Sequence, residues 1–428
     1  MSAAGEVKTA GKKQIVKEFS LVTFAKVLAL GSLFVCGVFI ARFIGPVEFG
    51  FYSAALSFII LFDAIIGQPL DNAVIRFSSH HSQWRERTEK IQGYVLRIKL
   101  CVGFALCAIA FLYLDELTTL MFDQSASINL LISVMGCGII LLIVRSSACY
   151  FQINQLFAEY AKFDGLQGLL RLVFVGVFIL LGVQSASFYV AIYGLGSLCA
   201  FVVFFTLIKQ NFYFAKTPDK NDKRKIMSYI GVTSFIVVLS TITGKADIPI
   251  LSTMGTAEET GHYSAAMQIA MIGTLMASYM AVVFYPKVVE MAKQGTLAGM
   301  IKLNLWSALA ISVFCVPVAI YLVPLVLPLI FGEQFQPSIL ILQILFVGIC
   351  ADFVVMPILL PFALQQTANK ILVGEIVITL LFFIGIFTIP SLDALKMALL
   401  VSGIRVLKMS LYLSVTVHFL VHNKKSET

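Results

Sequence analysis

Eight charged side chains stand inside stretches otherwise built of Leu, Ile, Val, Phe, Ala and Gly: the cations Lys26, Arg145, Arg171, Lys245, Arg405 and Lys408, and the acids Asp63 and Asp352. A charge in apolar surroundings is costly unless it faces a partner, a ligand or a water-filled space, so these residues mark the places where chemistry can happen. The six cations suit an anionic cargo whose hydration shell has to be replaced. The two carboxylates suit an exchangeable proton or Na⁺. Internal pairing is the competing explanation for each of them, for example Lys245 with Asp247, or Arg171 with Asp164 or Glu375. Lys245 also lies near the end of its stretch, where a long side chain can reach the headgroups.

Helical spacing adds direction. Asp63, Gly67 and Asp71 recur at i, i+4 and i+8; Ser234, Thr241, Lys245 and Ser252 form a polar stripe; and Ser402, Arg405, Met409, Tyr412 and Thr416 share a face with Lys408 beside them. That last face can equally be buried against a neighbouring helix. Other chemistries find little support. The sequence has no glycine-rich phosphate loop, no His-Glu-x-x-His and no Gly-x-Ser-x-Gly, and His80, His81, His262, His418 and His422 are scattered at helix ends. All eight cysteines lie in apolar runs with no histidine nearby, so they read as small hydrophobes. No catalytic group, metal or cofactor is expected.

The elements that carry these charges follow from composition. Of 428 residues 59% are apolar and 13% charged, and the mean hydropathy is +0.93, which excludes an ordinary soluble domain and points to a bilayer. The net charge of +8 does not indicate nucleic acid, because the cations mark loops rather than one folded face. Runs of about 20 apolar residues are centred near Leu30, Asp63, Phe104, Gly138, Leu170, Gly196, Val238, Gly273, Phe314, Ile349, Leu380 and Val406. Twelve spans place both termini on one side. The connections on that side carry 21 Lys and Arg, against Arg42 and Lys396 opposite, so both termini are expected in the cytoplasm. The expected organisation is a tail over 1–19, a six-helix lobe over 20–208, a basic cytoplasmic linker over 209–225, a second lobe over 226–421 and a tail over 422–428.

The chain also repeats itself. Glu48-Phe-Gly50-Phe-Tyr52-Ser53-Ala54-Ala55 returns as Glu259-Thr-Gly261-His-Tyr263-Ser264-Ala265-Ala266, six identities in eight positions at an offset of 211. The same offset aligns Phe151 with Phe362 and Gln155 with Gln366. Six spans separate equivalent points, so the halves enter the membrane in one orientation and are expected to be related by an axis along its normal. The fold class is therefore an all-α polytopic membrane protein, with twelve transmembrane helices in two pseudo-twofold-related six-helix lobes around a central cleft.

The stretch Arg42-Phe-Ile-Gly45-Pro46-Val-Glu-Phe49-Gly50-Phe-Tyr52 resembles the Arg-x-Leu-Gly-Pro-x-x-Phe-Gly-x-Tyr signature of bacterial polysaccharide flippases of the multidrug/oligosaccharidyl-lipid/polysaccharide exporter superfamily, with Ile44 in place of Leu. Physically, Gly45, Pro46 and Gly50 suit a tight connection, and Phe49 and Tyr52 suit the headgroup interface. The resemblance implies an inner-membrane protein that moves undecaprenyl-pyrophosphate-linked oligosaccharide, such as O-antigen units for lipopolysaccharide, to the periplasmic leaflet. It implies H⁺ or Na⁺ coupling, contact with membrane lipids, and a polysaccharide polymerase and chain-length regulator as neighbours. It also places Lys26, Asp63 and Lys245 at the central cavity. The alternatives are a cation-coupled multidrug exporter of the same superfamily and, from another class, an oligosaccharide polymerase or ligase, which would carry a long periplasmic loop that this sequence lacks.

Overall fold

The computed structural model describes residues 3–78, 85–122, 126–208, 211–293, 317–364 and 368–426, with isolated positions between 306 and 314. Every described element is helical. The span centred near Phe314 falls mostly outside the described residues; the other centres lie on helices or on the turn at Asp63. The chain divides into two compact units, residues 1–44 with 55–241, and residues 45–54 with 242–428.

In the first unit the opening helix, α1 (Ala3–Phe62), is broken at Gly45 by a φ of 78°, a conformation that a side chain would strain. Pro46 restarts the helix, since its fixed φ suits a first turn and its missing N–H is no loss there. The stretch from Leu28 to Phe77 runs 50 residues, about 75 Å at helical rise, so the break makes it two crossings of a hydrocarbon layer of about 30 Å. A π-helical turn, Asp63–Gly67, precedes α2 (Gln68–Phe77). Pro69 cannot donate to the carbonyl one turn back, and a widened turn is a usual way to absorb that gap. Then follow α3 (Arg85–Leu112), α4 (Leu114–Phe122), α5 (Ile128–Ile153), α6 (Phe157–Leu180) and α7 (Ala186–Leu207). All of these except α4 are long and apolar enough to cross a membrane.

Phe151, Phe163 and Phe204 form a triangle of rings with centroids 5.3–5.8 Å apart. The basic stretch after α7 docks onto this nest. A 3-10 turn, Asn211–Phe214, inserts Phe212 with no exposed surface, stacked on Tyr150. The hydroxyls of Tyr213 and Ser147 share a hydrogen bond of 2.8 Å, and Arg97 donates to the carbonyl of Ala215. Gly93 faces the Phe212 carbonyl at a separation that no Cβ would allow. Helix α8 (Lys220–Lys245) is tied to α3 by a fork, with Arg87 Nε and Nη2 donating to Asp222 at 2.8 and 2.7 Å. That guanidinium holds the Asp222 carboxyl below its ordinary value.

The second unit contains α9 (Asp247–Met254), α10 (Ala257–Lys293), α11 (Val323–Phe331), α12 (Ser338–Leu364), α13 (Ala368–Thr388) and α14 (Ala394–Ser426). Helix α10 starts with a capping box: the Glu259 N–H donates to Thr256 Oγ1 at 3.2 Å, and the Thr256 N–H donates to the Glu259 carboxylate at 3.1 Å. The segment 45–54 belongs here by contact, although its neighbours in sequence belong to the first unit. Phe49 sits 5.9 Å from Phe335 and 6.4 Å from Phe331. Phe49 and Tyr52 suit a headgroup interface by residue type, yet both are buried, at 0% and 3% exposure. Their rings are core.

Candidate functional site

The intramembrane charges collect into three groups. In the first unit Asp63, on the π turn, lies with one carboxylate oxygen 3.3 Å from Arg145 Nε on α5. Its other oxygen is buried without a hydrogen-bond partner and fills the space that a side chain at Gly67 would take. Two turns on, Asp71 accepts from Lys99 of α3. Lys99 has no exposed surface. It is also 3.2 Å from Ser146 Oγ, and the Ser146 carbonyl in turn accepts from Gln92 at 2.8 Å. The common face of Asp63 and Asp71 was legible from spacing. The buried cation opposite was not, because Lys99 lies mid-helix two residues after Arg97, at the border of the apolar run centred near Phe104, and reads as an interfacial residue.

In the second unit Asp352 on α12 lies 3.2 Å from Arg405 on α14, and Glu375 on α13 lies 2.6 Å from Lys408. Tyr412 also donates to Glu375 at 3.2 Å. Ser402 donates to the Ile344 carbonyl at 2.9 Å, so the polar stripe of α14 is packed against both α12 and α13. Nearby Asp247, at the start of α9, is buried and accepts from Tyr263 at 2.7 Å.

The third group is Arg171 on α6. It donates to Ser197 at 2.6 Å, approaches Gln167 at 3.5 Å and lies 3.9 Å over the Tyr193 ring. Its Nε is buried without a hydrogen-bond partner. It pairs with neither Asp164 nor Glu375. Glycine at position 196 makes the room, since a Cβ there would lie 2.8 Å from Arg171 Cγ.

The six candidate cations thus differ in kind. Arg145, Arg405 and Lys408 each face a carboxylate, Arg145 with its side chain still 58% exposed. Arg171 faces no carboxylate among the described residues, its partners being Ser197, Gln167 and the Tyr193 ring. Lys245 is exposed at the end of α8, and Lys26 lies on α1 but outside the residues whose side chains are described. Among the described residues no group of three or more His, Cys, Asp or Glu is placed to hold a metal.

Comparison with known structures places the fold. A lipid II flippase MurJ in an inward closed conformation superposes with a TM-score of 0.72 at 14% identity, over 94% of this chain and 87% of that one. An inward-facing multidrug resistance MATE family transporter of the MOP superfamily gives 0.65 at 17% identity, over 94% and 96%. A MOP superfamily transporter from Pyrococcus furiosus gives 0.62 at 15%, over 95% and 96%. No curated protein shows significant sequence similarity to the chain. The fold is that of MOP-type flippases and transporters, and the protein is a multi-pass membrane protein. Residues 15–292 match the family described as polysaccharide biosynthesis protein. The chain belongs to that family.

Proposed function

We propose that the protein translocates undecaprenyl-pyrophosphate-linked oligosaccharide units from the cytoplasmic to the periplasmic leaflet of the bacterial inner membrane by alternating access, for O-antigen or another surface polysaccharide. The family match carries this reading: it covers the Arg42–Tyr52 signature and extends across most of the chain. The likeness to a lipid II flippase agrees with a lipid-linked cargo. Arg171 supports it chemically. A guanidinium with no carboxylate partner among the described residues can meet a pyrophosphate through charge-assisted hydrogen bonds, whereas cationic drugs, the cargo of the rival multidrug exporter, would be repelled by it. Lys26 and Lys245 join Arg171 as candidate cargo contacts. Asp63, with one free oxygen, and Asp352 are the candidate ion-coupling groups.

Deleting the gene and analysing surface polysaccharide with the membrane's lipid-linked oligosaccharides tests the reading. Loss of polymer with repeat units retained on the cytoplasmic leaflet is expected, reversed by a plasmid copy but not by one carrying Arg171→Gln. Intact polymer with altered sensitivity to cationic drugs would instead establish the exporter reading.

A further inference from the structure

One face of α6 is polar although the helix is apolar enough to cross a membrane. Tyr160, Asp164, Gln167 and Arg171 recur at i, i+4, i+7 and i+11, a single stripe of roughly 16 Å along the axis. Half a turn away Leu169, Val173 and Val177 form an exposed apolar row. Two neighbouring helices bring further groups to the stripe. From α7, Ser197 accepts from Arg171, and the Tyr193 ring lies against its guanidinium. From α5, Arg145 comes within electrostatic reach of the Tyr160 and Tyr193 hydroxyls. Its side chain is 58% exposed, and an exposed guanidinium at membrane depth needs water rather than hydrocarbon around it. Tyr160, Asp164, Arg171 and Tyr193 are each partly exposed, while Gln167 is buried.

The internal repeat sets this face apart. Helix α13 begins at Ala368, 211 residues after Phe157 at the start of α6. In place of the four stripe residues it carries Ile371, Glu375, Ile378 and Phe382. Ile378 and Phe382 are each 1% exposed, and Glu375 is closed off by Lys408 at 2.6 Å. The duplicated helix therefore packs without a polar stripe, so the stripe on α6 answers to something other than the fold. We propose that it reads the sugar of the cargo, an inference that rests on the transport reading above: Tyr160, Asp164 and Tyr193 meet sugar hydroxyls and ring faces while Arg171 meets the diphosphate. A carboxylate repels a diphosphate, so Asp164 does not belong to the phosphate contact. It suits two neighbouring hydroxyls, both of which can donate to it. Each tyrosine offers a hydroxyl together with an apolar ring face. Gln167, 3.5 Å from Arg171, is a positioning residue for the guanidinium.

Binding measurements separate the two parts of the cargo. The probes are undecaprenyl pyrophosphate and the same lipid carrying the oligosaccharide, the second extracted from the deletion strain, each titrated against the full-length protein in nanodiscs. The sugar-bearing lipid is expected to bind at least about tenfold more tightly, since a site built to hydrogen-bond hydroxyls discriminates against a ligand that lacks them. Asp164→Asn and Tyr160→Phe, both close in shape to the residues they replace, are expected to remove most of that difference, and Arg171→Gln to weaken both lipids. Equal binding of the two lipids by the unaltered protein would overturn the proposal and leave the transport reading standing. That comparison needs no variant, so it decides even where a substitution fails to fold. An undiminished preference in the folded Asp164→Asn, Tyr160→Phe double variant would also overturn it, as would a loss of the same factor for both lipids. Binding of neither lipid above that of phosphatidylglycerol would remove the transport reading and the proposal with it.

Discussion

Asp71 and Lys99 are the most deeply buried ion pair among the described residues, with the lysine fully inside. Breaking such a pair from one side strands a charge and costs about 3–5 kcal/mol, whereas replacing both partners with apolar residues of similar volume is often neutral. Lys99→Met is therefore expected to lower the unfolding temperature of the detergent-solubilised protein sharply, and Lys99→Met with Asp71→Leu to recover most of it. Arg171 behaves differently. With no carboxylate to strand among the described residues, Arg171→Gln is expected to leave expression and melting near normal while export is lost, and a matching loss of folded protein would reduce Arg171 to a packing residue. Charge in an apolar run was readable from single residues. Which charges cancel was not, because Asp63 with Arg145 and Asp352 with Arg405 meet across separations of 82 and 53 residues that no local pattern encodes.

At the scale of elements, the stretch 209–225 carries six Lys and Arg and no apolar periodicity, so its composition reads as a tether. Phe212 and Tyr213 nevertheless peg it to the aromatic nest of the first unit, and the fork between Arg87 and Asp222 fastens the start of α8. Three adjacent aromatic residues, Phe212 to Phe214, among many polar ones are too weak a signal to reveal a docked turn. The Asp222 carboxyl titrates below its usual value in the folded state, so its contribution is complete above about pH 4, the unfolded carboxylate's range, and fades as pH falls through the lower folded value. Hydrogen exchange over 215–225, corrected for intrinsic rate, is expected to quicken only in that acid range in the parent protein. In Asp222→Asn it should already be fast at pH 7. Equal rates in both at pH 7 would show that the aromatic peg alone holds the stretch.

For the whole molecule, alternating basic and acidic connections predict a C-terminal fluorescent protein fusion that matures in the cytoplasm and an alkaline phosphatase fusion after Ala126 that is active outside; the opposite pair of results would invert the topology. Length, composition and the 211-residue repeat made the all-α membrane architecture legible. They did not show that the repeated segment changes company, with 45–54 packed among residues from the other end of the chain. That arrangement has a consequence for biosynthesis. The rings that enclose Phe49 come from Phe331 and Phe335, roughly 285 residues later, which at a synthesis rate of 5–20 residues per second is a wait of about 14–57 s. Throughout that interval Phe49 lacks the two rings that later pack on it and keeps only its stacked neighbour Tyr52. A ribosome stalled before Phe331 would leave the first six helices made and the Phe49 ring without Phe331 and Phe335.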